Sequence, residues 1–270
     1  MSMFRDITIG QYLSGESLVH RLDPRTKITI VGVFMAVLFT ALSAAAYAVL
    51  IGFTVLIVAL AQVPPRMLFR GLKPILFLLI LTFALQLFLT PGRVLFNLGP
   101  LVATYEGLRL GIFMILRLLL LLVVASLLTL TTSPVSLTDG LEAILTPFKV
   151  VGLPAHELAM MMTIALRFIP TLMEEADKIM KAQMARGADF ESGNPIRRVK
   201  SLIPLLVPLF VSAFRRADEL ATAMESRCYR GGIKRTRLKR LKATSLDAAA
   251  GLVTAVVALA VLGIRWWPAW

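Results

Sequence analysis

Cysteine and histidine are scarce in this 270-residue chain, and acidic side chains are missing from the interior of its long apolar runs. A single cysteine, Cys228, allows no internal disulfide. His20 and His156 stand too far apart to form a cluster with metal-ligand spacing, so neither a bound metal nor any other cofactor is expected. No G-x-x-x-x-G-K-[ST] phosphate loop occurs: Gly231–Gly232–Ile233–Lys234 lacks both the spacing and the hydroxyl residue, which excludes ATP hydrolysis by that mechanism. Apart from Asp247 at the start of the last run, no Asp, Glu or His lies where a proton relay would need one, which disfavours a proton-coupled carrier. For the same reason no acid pair or nucleophile–base arrangement supports a membrane-embedded enzyme. The chain is expected to be non-catalytic.

What is present is apolar and basic. Hydrophobic residues make up 57% of the chain and charged residues 17%, against roughly 45–50% apolar in soluble domains. Such a composition belongs to an integral membrane protein, here an all-helical one. Yet 29 Lys+Arg face 16 Asp+Glu, a net +13, so a strongly basic part must stand in water.

The first apolar run begins near Ile28 with no small-residue cleavage site before it, so no removable signal peptide is expected. Residues 28–61 contain no ionisable side chain but Tyr47; they are too long for one span of about 20 residues and read as a hairpin turning at Ser43–Ala46. Pro74–Leu89 and Leu110–Thr131 follow, the latter interrupted only by Arg117, which either snorkels outward or pairs with Glu106 or a partner. A last run, Leu246–Ile264, ends in Trp266, Trp267 and Trp270, an interfacial aromatic group. This gives about five transmembrane helices and four segments: residues 1–27, 28–132, 133–245 and 246–270. Seventeen of the 29 basic residues fall between Arg167 and Lys242, which places that segment and the N-terminus in the cytoplasm of a prokaryotic cell. The loop from Thr90 to Arg109 then lies outside.

The cytoplasmic segment carries helical periodicity. Leu158, Met162, Ala165, Ile169, Leu172, Ala176, Ile179 and Met180 form one apolar stripe, with Glu174, Glu175, Lys178 and Lys181 opposite and a break or kink expected at Pro170. A second helix from about Val199 sets Leu202, Leu205, Leu209, Ala213, Ala217, Leu220 and Met224 against Arg215, Arg216, Asp218, Glu219 and Thr222. Its stretch Ser201–Phe214, interrupted by prolines, suits a core or interfacial helix better than a sixth span.

These two helices repeat at an offset of 41: Ala176–Asp177 falls on Ala217–Asp218, Ala182 on Ala223 and Arg186 on Arg227. Each ends in a small–Arg–small triplet, Ala185–Arg186–Gly187 and Ser226–Arg227–Cys228. Small neighbours let another backbone approach while the guanidinium projects toward a carboxylate or carbonyl partner. Either arginine alone would suit a simple helix C-terminal cation; two copies at matching positions suggest two docking arms for two similar partners.

Gln11–Tyr12, His20–Lys27 (HRLDPRTK), Thr131–Gly140 (TTSPVSLTDG), His156–Pro170 (HELAMMMTIALRFIP), Lys181–Phe190 (KAQMARGADF) and Arg216–Gly232 (RADELATAMESRCYRGG) resemble the transmembrane T component of energy-coupling factor transporters over nearly the whole chain. The resemblance implies a scaffold joining two ABC-type ATPase subunits to a small substrate-binding S component of a vitamin or metal importer. It implies that Arg186 and Arg227 dock into the ATPases. Ser226 and Cys228 depart from the Ala-Arg-Gly pattern but keep the small size and the central charge. Met160, Met161 and Met162 either belong to the helix–helix core or give an adaptable surface for S components; Met161 leaves the apolar stripe. The basic run Lys234–Lys242 suits anionic membrane lipids or an acidic ATPase face; nucleic acid is not an expected partner, because no aromatic is interleaved with the charges. The rival reading is a stand-alone channel or carrier whose basic helices only bind lipid.

A cytoplasmic N-terminus and five crossings predict that a reporter fused after Trp270 reads as external. A cytoplasmic signal would mean that Ser201–Phe214 crosses or that an earlier segment does not.

Overall fold

The computed structural model describes residues 12–98, 101–188, 190, 200–229, 231 and 241–266. Gln11, Val199, the stretch Gly232–Arg240, Trp267 and Trp270, all named above, lie outside the described residues. The described residues divide into two compact units, one lying within residues 10–141 and 240–270 and the other within 142–239.

The first unit is built from apolar helices started by polar caps. Helix α1 (Leu18–Arg21) leads into α2 (Pro24–Thr40), where Asp23 accepts the Arg25 backbone N–H at 3.0 Å and Pro24 fits the first helical position. Ser43 caps α3 (Ala44–Ala61) by accepting from the Ala46 backbone N–H at 3.2 Å, so the hairpin turns at residues 41–43, a little earlier than expected. Next come α4 (Pro65–Leu72), a 3₁₀ turn (Lys73–Ile75) and α5 (Leu76–Leu89), so the basic residues Arg66 and Lys73 stand on helical turns.

The expected external loop contains an antiparallel hairpin, β1 (Val94–Leu98) with β2 (Leu101–Thr104). Thr104 then caps α6 (Tyr105–Thr131) through the Gly107 N–H at 3.1 Å. The fourth span therefore starts five residues before Leu110; Glu106 and Arg109 masked its first turns in the hydropathy pattern. Helices α7 (Pro134–Leu145) and, at the end of the chain, α10 (Ser245–Trp266) complete this part.

Ala44–Ala61, Pro65–Leu89, Tyr105–Thr131 and Ser245–Ile264 are long and apolar enough to cross a membrane. With 17 residues, α2 is about 26 Å long, just under a hydrocarbon thickness of about 30 Å, and is not among them, so four of the about five expected crossings are matched among the described residues. Phe34, Leu38, Tyr47, Leu50, Phe53, Leu120, Val124 and Val261 form the core joining α2, α3, α6 and α10, and Tyr47 stacks on Phe113 at 5.0 Å.

Polar contacts tie the helix ends. The Lys27 amine, on a side chain 6% exposed, donates to the carbonyls of His20 (3.2 Å) and Thr131 (2.9 Å) and to the Thr132 hydroxyl (3.3 Å). It thereby satisfies a carbonyl at the C-terminus of α6 that the helix leaves open. Asp247 accepts the Asp23 backbone N–H at 2.7 Å and both the N–H and hydroxyl of Thr244, joining the start of α10 to the start of α2. Arg117 donates to the Ala41 carbonyl at 3.2 Å and lies 5.7 Å from the Phe39 ring, so it caps the end of α2; Glu106 instead accepts the Arg93 N–H at 2.6 Å.

The second unit consists mainly of α8 (Ala155–Ala185) and α9 (Ile203–Ser226). Pro170 lies inside α8 without ending it. Only part of α9 is covered: Leu205 and Ser212 are buried, while Ile203, Val207, Phe210 and Phe214 are exposed, so the stretch read as core or interface has one free apolar face.

At the α5–α6 contact, a Cβ on Gly107 would meet the Gln86 carbonyl at 2.5 Å and the Leu87 carbonyl at 2.8 Å, whereas one on Gly52 would meet nothing within 4 Å. Gly107→Leu is expected to lower stability in detergent by about 1–3 kcal/mol, and Gly52→Ala to leave it unchanged or raise it by up to about 1 kcal/mol; thermal unfolding of the purified chain checks both.

Candidate functional site

Helices α8 and α9 pack antiparallel along most of their length. The Tyr229 hydroxyl, just past the end of α9, donates to the Met160 sulfur near the start of α8 at 2.9 Å. Toward the middle, Ile164, Phe168 and Leu172 face Ala213, Ala217, Leu220 and Met224 around a cavity of about 230 Å³. Farther along, Met180 packs with Leu205 and Phe190, and the Gln183 amide donates to the Pro204 carbonyl at 3.3 Å. The C-terminus of each helix therefore lies beside the N-terminus of the other. From Met160, the neighbour of the α9 end, to Arg186 is 26 residues, about 39 Å at 1.5 Å per residue.

Both ends close in the same way. Ala185 is the last residue of α8 and Ser226 the last of α9; Arg186 and Arg227 are the capping residues, with φ/ψ of −87/6° and −93/13°. Gly187 and Cys228 follow in the left-handed region, at φ 89° and 55°. Gly187 and Ala188 donate to the carbonyls of Met184 (3.0 Å) and Gln183 (2.9 Å), and Cys228 and Tyr229 donate to those of Glu225 (2.9 Å) and Met224 (3.0 Å). This paired pattern, with one bond reaching back five residues and one reaching back three, closes the last open carbonyls of a helix. Since backbone N–H groups already fill that role, neither guanidinium is needed to cap its own helix.

All six triplet residues, Ala185, Arg186, Gly187, Ser226, Arg227 and Cys228, are exposed. Neither arginine forms an ion pair with any described residue. Two permanently charged, planar donor groups thus project from identical helix ends. Met161 and Met162 are 55% and 47% exposed on α8, whereas Met160 is half-buried under Tyr229, so the methionine group is only partly core.

Periodicity alone put Glu175 and Arg216 on outward faces, and the structure corrects this. Arg216 donates to a Glu175 oxygen at 2.9 Å, and the Ser212 hydroxyl donates to the other oxygen, between the two helices. The Ser212 hydrogen bond, with Arg216 beside it, holds the Glu175 carboxyl below its ordinary value. The contribution of this pair is accordingly present at neutral pH and is lost only as the pH falls through that lowered value. The offset of 41 contained the missed signal: Glu175 and Arg216 occupy the same repeat position with opposite charge.

Residues 15–238 match the family described as cobalt transport protein, CbiQ. The chain is 60% identical over 255 residues to the energy-coupling factor transporter transmembrane protein EcfT of Thermosediminibacter oceani, covering 94% of this chain and 96% of that protein. It is 55% identical over 264 residues to EcfT of Acidaminococcus fermentans, covering 98% of both. With EcfT of Bacillus subtilis it shares 50% identity over 261 residues, 96% of this chain and 98% of that one.

The left-handed backbone at Cys228 costs a side-chain-bearing residue about 1–2 kcal/mol, partly offset by the extra chain entropy that glycine loses on folding. Cys228→Gly is expected to stabilise the chain by about 0.5–1 kcal/mol, and Gly187→Ala to destabilise it by a similar amount. Urea titration of the purified chain reads both shifts.

Proposed function

The chain belongs to the family of energy-coupling factor transporter transmembrane proteins, within the cobalt transport protein group, and we propose that it is the scaffold that transmits ATPase motion to a substrate-binding membrane partner. The observation that carries this reading is the pair of exposed arginines, without an ion pair among the described residues, in matching geometry at the two ends of one antiparallel helix pair. An arginine fork binds carboxylates bidentately, and its small neighbours leave room for a groove to close around it. Two such arms suit two ABC-type ATPase subunits related by an approximate two-fold axis, the commonest symmetry of a pair. Identical or merely related subunits fit equally well.

In this account the ATPases supply all the catalysis, and the chain itself uses no cofactor. Nucleotide-driven closure brings the two docking grooves together and moves α8 and α9 with them. The S component, seated against Met160, Met161 and Met162, follows that motion and releases a vitamin or other micronutrient inward. Flexible thioethers suit a surface that accepts more than one such partner. The protein resides in the cell membrane of a prokaryote with its N-terminus in the cytoplasm, and its basic residues meet anionic lipid headgroups rather than nucleic acid.

Co-purification from native membranes in mild detergent tests the reading. Wild type is expected to bring down ATPase subunits and one or more small membrane proteins, and the Arg186→Glu, Arg227→Glu double variant is expected to lose the ATPases. Retention of the same ATPases after charge reversal would return the triplets to the role of plain helix ends and favour a stand-alone channel or carrier.

A further inference from the structure

The contact of Glu175 with Arg216 and Ser212 lies where the two repeated helices cross their own symmetry. The offset of 41 relates α8 to α9, and in an antiparallel pair such a relation is a local two-fold axis. Any position that meets its own repeat-mate across the interface must lie next to that axis. Glu175 does so, because its partner Arg216 is its repeat-mate. A truly symmetric repeat would oppose two like residues at this point. Here the two copies have diverged to opposite charge, and the Ser212 hydroxyl completes the carboxylate's bonding. Among the described residues it is the one ion pair that joins the two helices.

We propose that Glu175, Arg216 and Ser212 form a fulcrum, a set of positioning residues about which α8 and α9 scissor when the docked ATPases close; this rests on the coupling reading given above. Two arms of equal length extend from it. Arg186 lies eleven residues beyond Glu175 and Arg227 eleven beyond Arg216, about 16 Å of helix in each case. Rotation by about 10° would move each arm tip by about 3 Å while hardly changing distances at the axis. A carboxylate held by two directional bonds keeps both through such a rotation only near the axis. To one side the helices touch through Phe168, Leu220 and Met224 around the 230 Å³ cavity that Arg216 also lines, apolar contacts that can slide, and the polar contacts farther out, Gln183 to the Pro204 carbonyl and Tyr229 to the Met160 sulfur, are single bonds made by long side chains. A partly exposed ion pair adds little to stability. Its worth here is register: a slip of one helical turn would displace the arms by about 5.4 Å relative to each other.

The test uses the purified complex of the chain with its ATPases and membrane partner. Spin labels are introduced as an unnatural amino acid at Lys181 and Val207, both exposed and on the same side of the fulcrum, which leaves Cys228 of the docking triplet unaltered. Distances are then compared with and without Mg-ATP plus vanadate. The unaltered fulcrum is expected to give a nucleotide-dependent shift of about 2 Å, the displacement produced by a rotation of about 10° at about 9–14 Å from the axis. Glu175→Arg or Arg216→Glu alone is expected to keep the ATPases bound yet abolish or scatter the shift, and the Glu175→Arg, Arg216→Glu exchange to restore it. A shift that survives both single reversals overturns the fulcrum, as does an exchange no better than either reversal, or loss of the ATPases on single reversal. Absence of ATPases from the wild-type complex would instead overturn the coupling reading itself.

Discussion

The antiparallel packing of α8 on α9 determines what the second unit can do. Had the helices run parallel, the two Arg-bearing ends would lie side by side and present one basic patch. Running antiparallel, they carry one guanidinium to each end of a rod about 39 Å long. Small side chains stand opposite large ones where the helices meet, Ala213 and Ala217 across the cavity from Phe168 and Leu172. The left-handed residues at Gly187 and Cys228 stop both helices at equivalent places. The placement of the two arginines thus follows from packing and termination, two local properties of the chain.

A different constraint governs the apolar unit. A bilayer offers no hydrogen-bond partners, so helix ends must be satisfied within the protein. Lys27 serves the open carbonyl of Thr131, Arg117 that of Ala41, and Asp247 the N–H groups of Asp23 and Thr244. The few charged residues next to the apolar runs therefore act as staples, leaving the outer apolar surface, with Phe77, Leu89 and Leu252 exposed, to meet lipid. The HRLDPRTK segment reads in this light as architecture: His20 bonds Ser17 and the Leu13 carbonyl, Asp23 caps α2 and Lys27 anchors α6.

Composition and periodicity made the all-helical membrane class, the long apolar runs and the two amphipathic helices legible before any coordinates. Four things were hidden. The hairpin Val94–Leu98/Leu101–Thr104 was obscured because two short strands between turn residues resemble a loop. The uninterrupted passage of α8 through Pro170 was hidden because propensity describes an isolated helix. Glu175 and Arg216 were assigned outward because hydropathy treats a charge as solvent-seeking, whereas two opposite charges can satisfy each other between helices. The triplets themselves were readable, since a repeated exposed motif needs only alignment; that they point from opposite ends was not, because offset alone does not specify whether the copies run parallel.

The most direct test of the account is therefore the separation of the two arm tips, read by electron spin resonance between labels at Arg186→Cys and Arg227→Cys on the chain in a lipid bilayer, with Cys228 replaced by Gly. Antiparallel packing predicts a distance of about 35–40 Å. A distance below about 20 Å would place both tips at one end of the helix pair and contradict the two-armed scaffold.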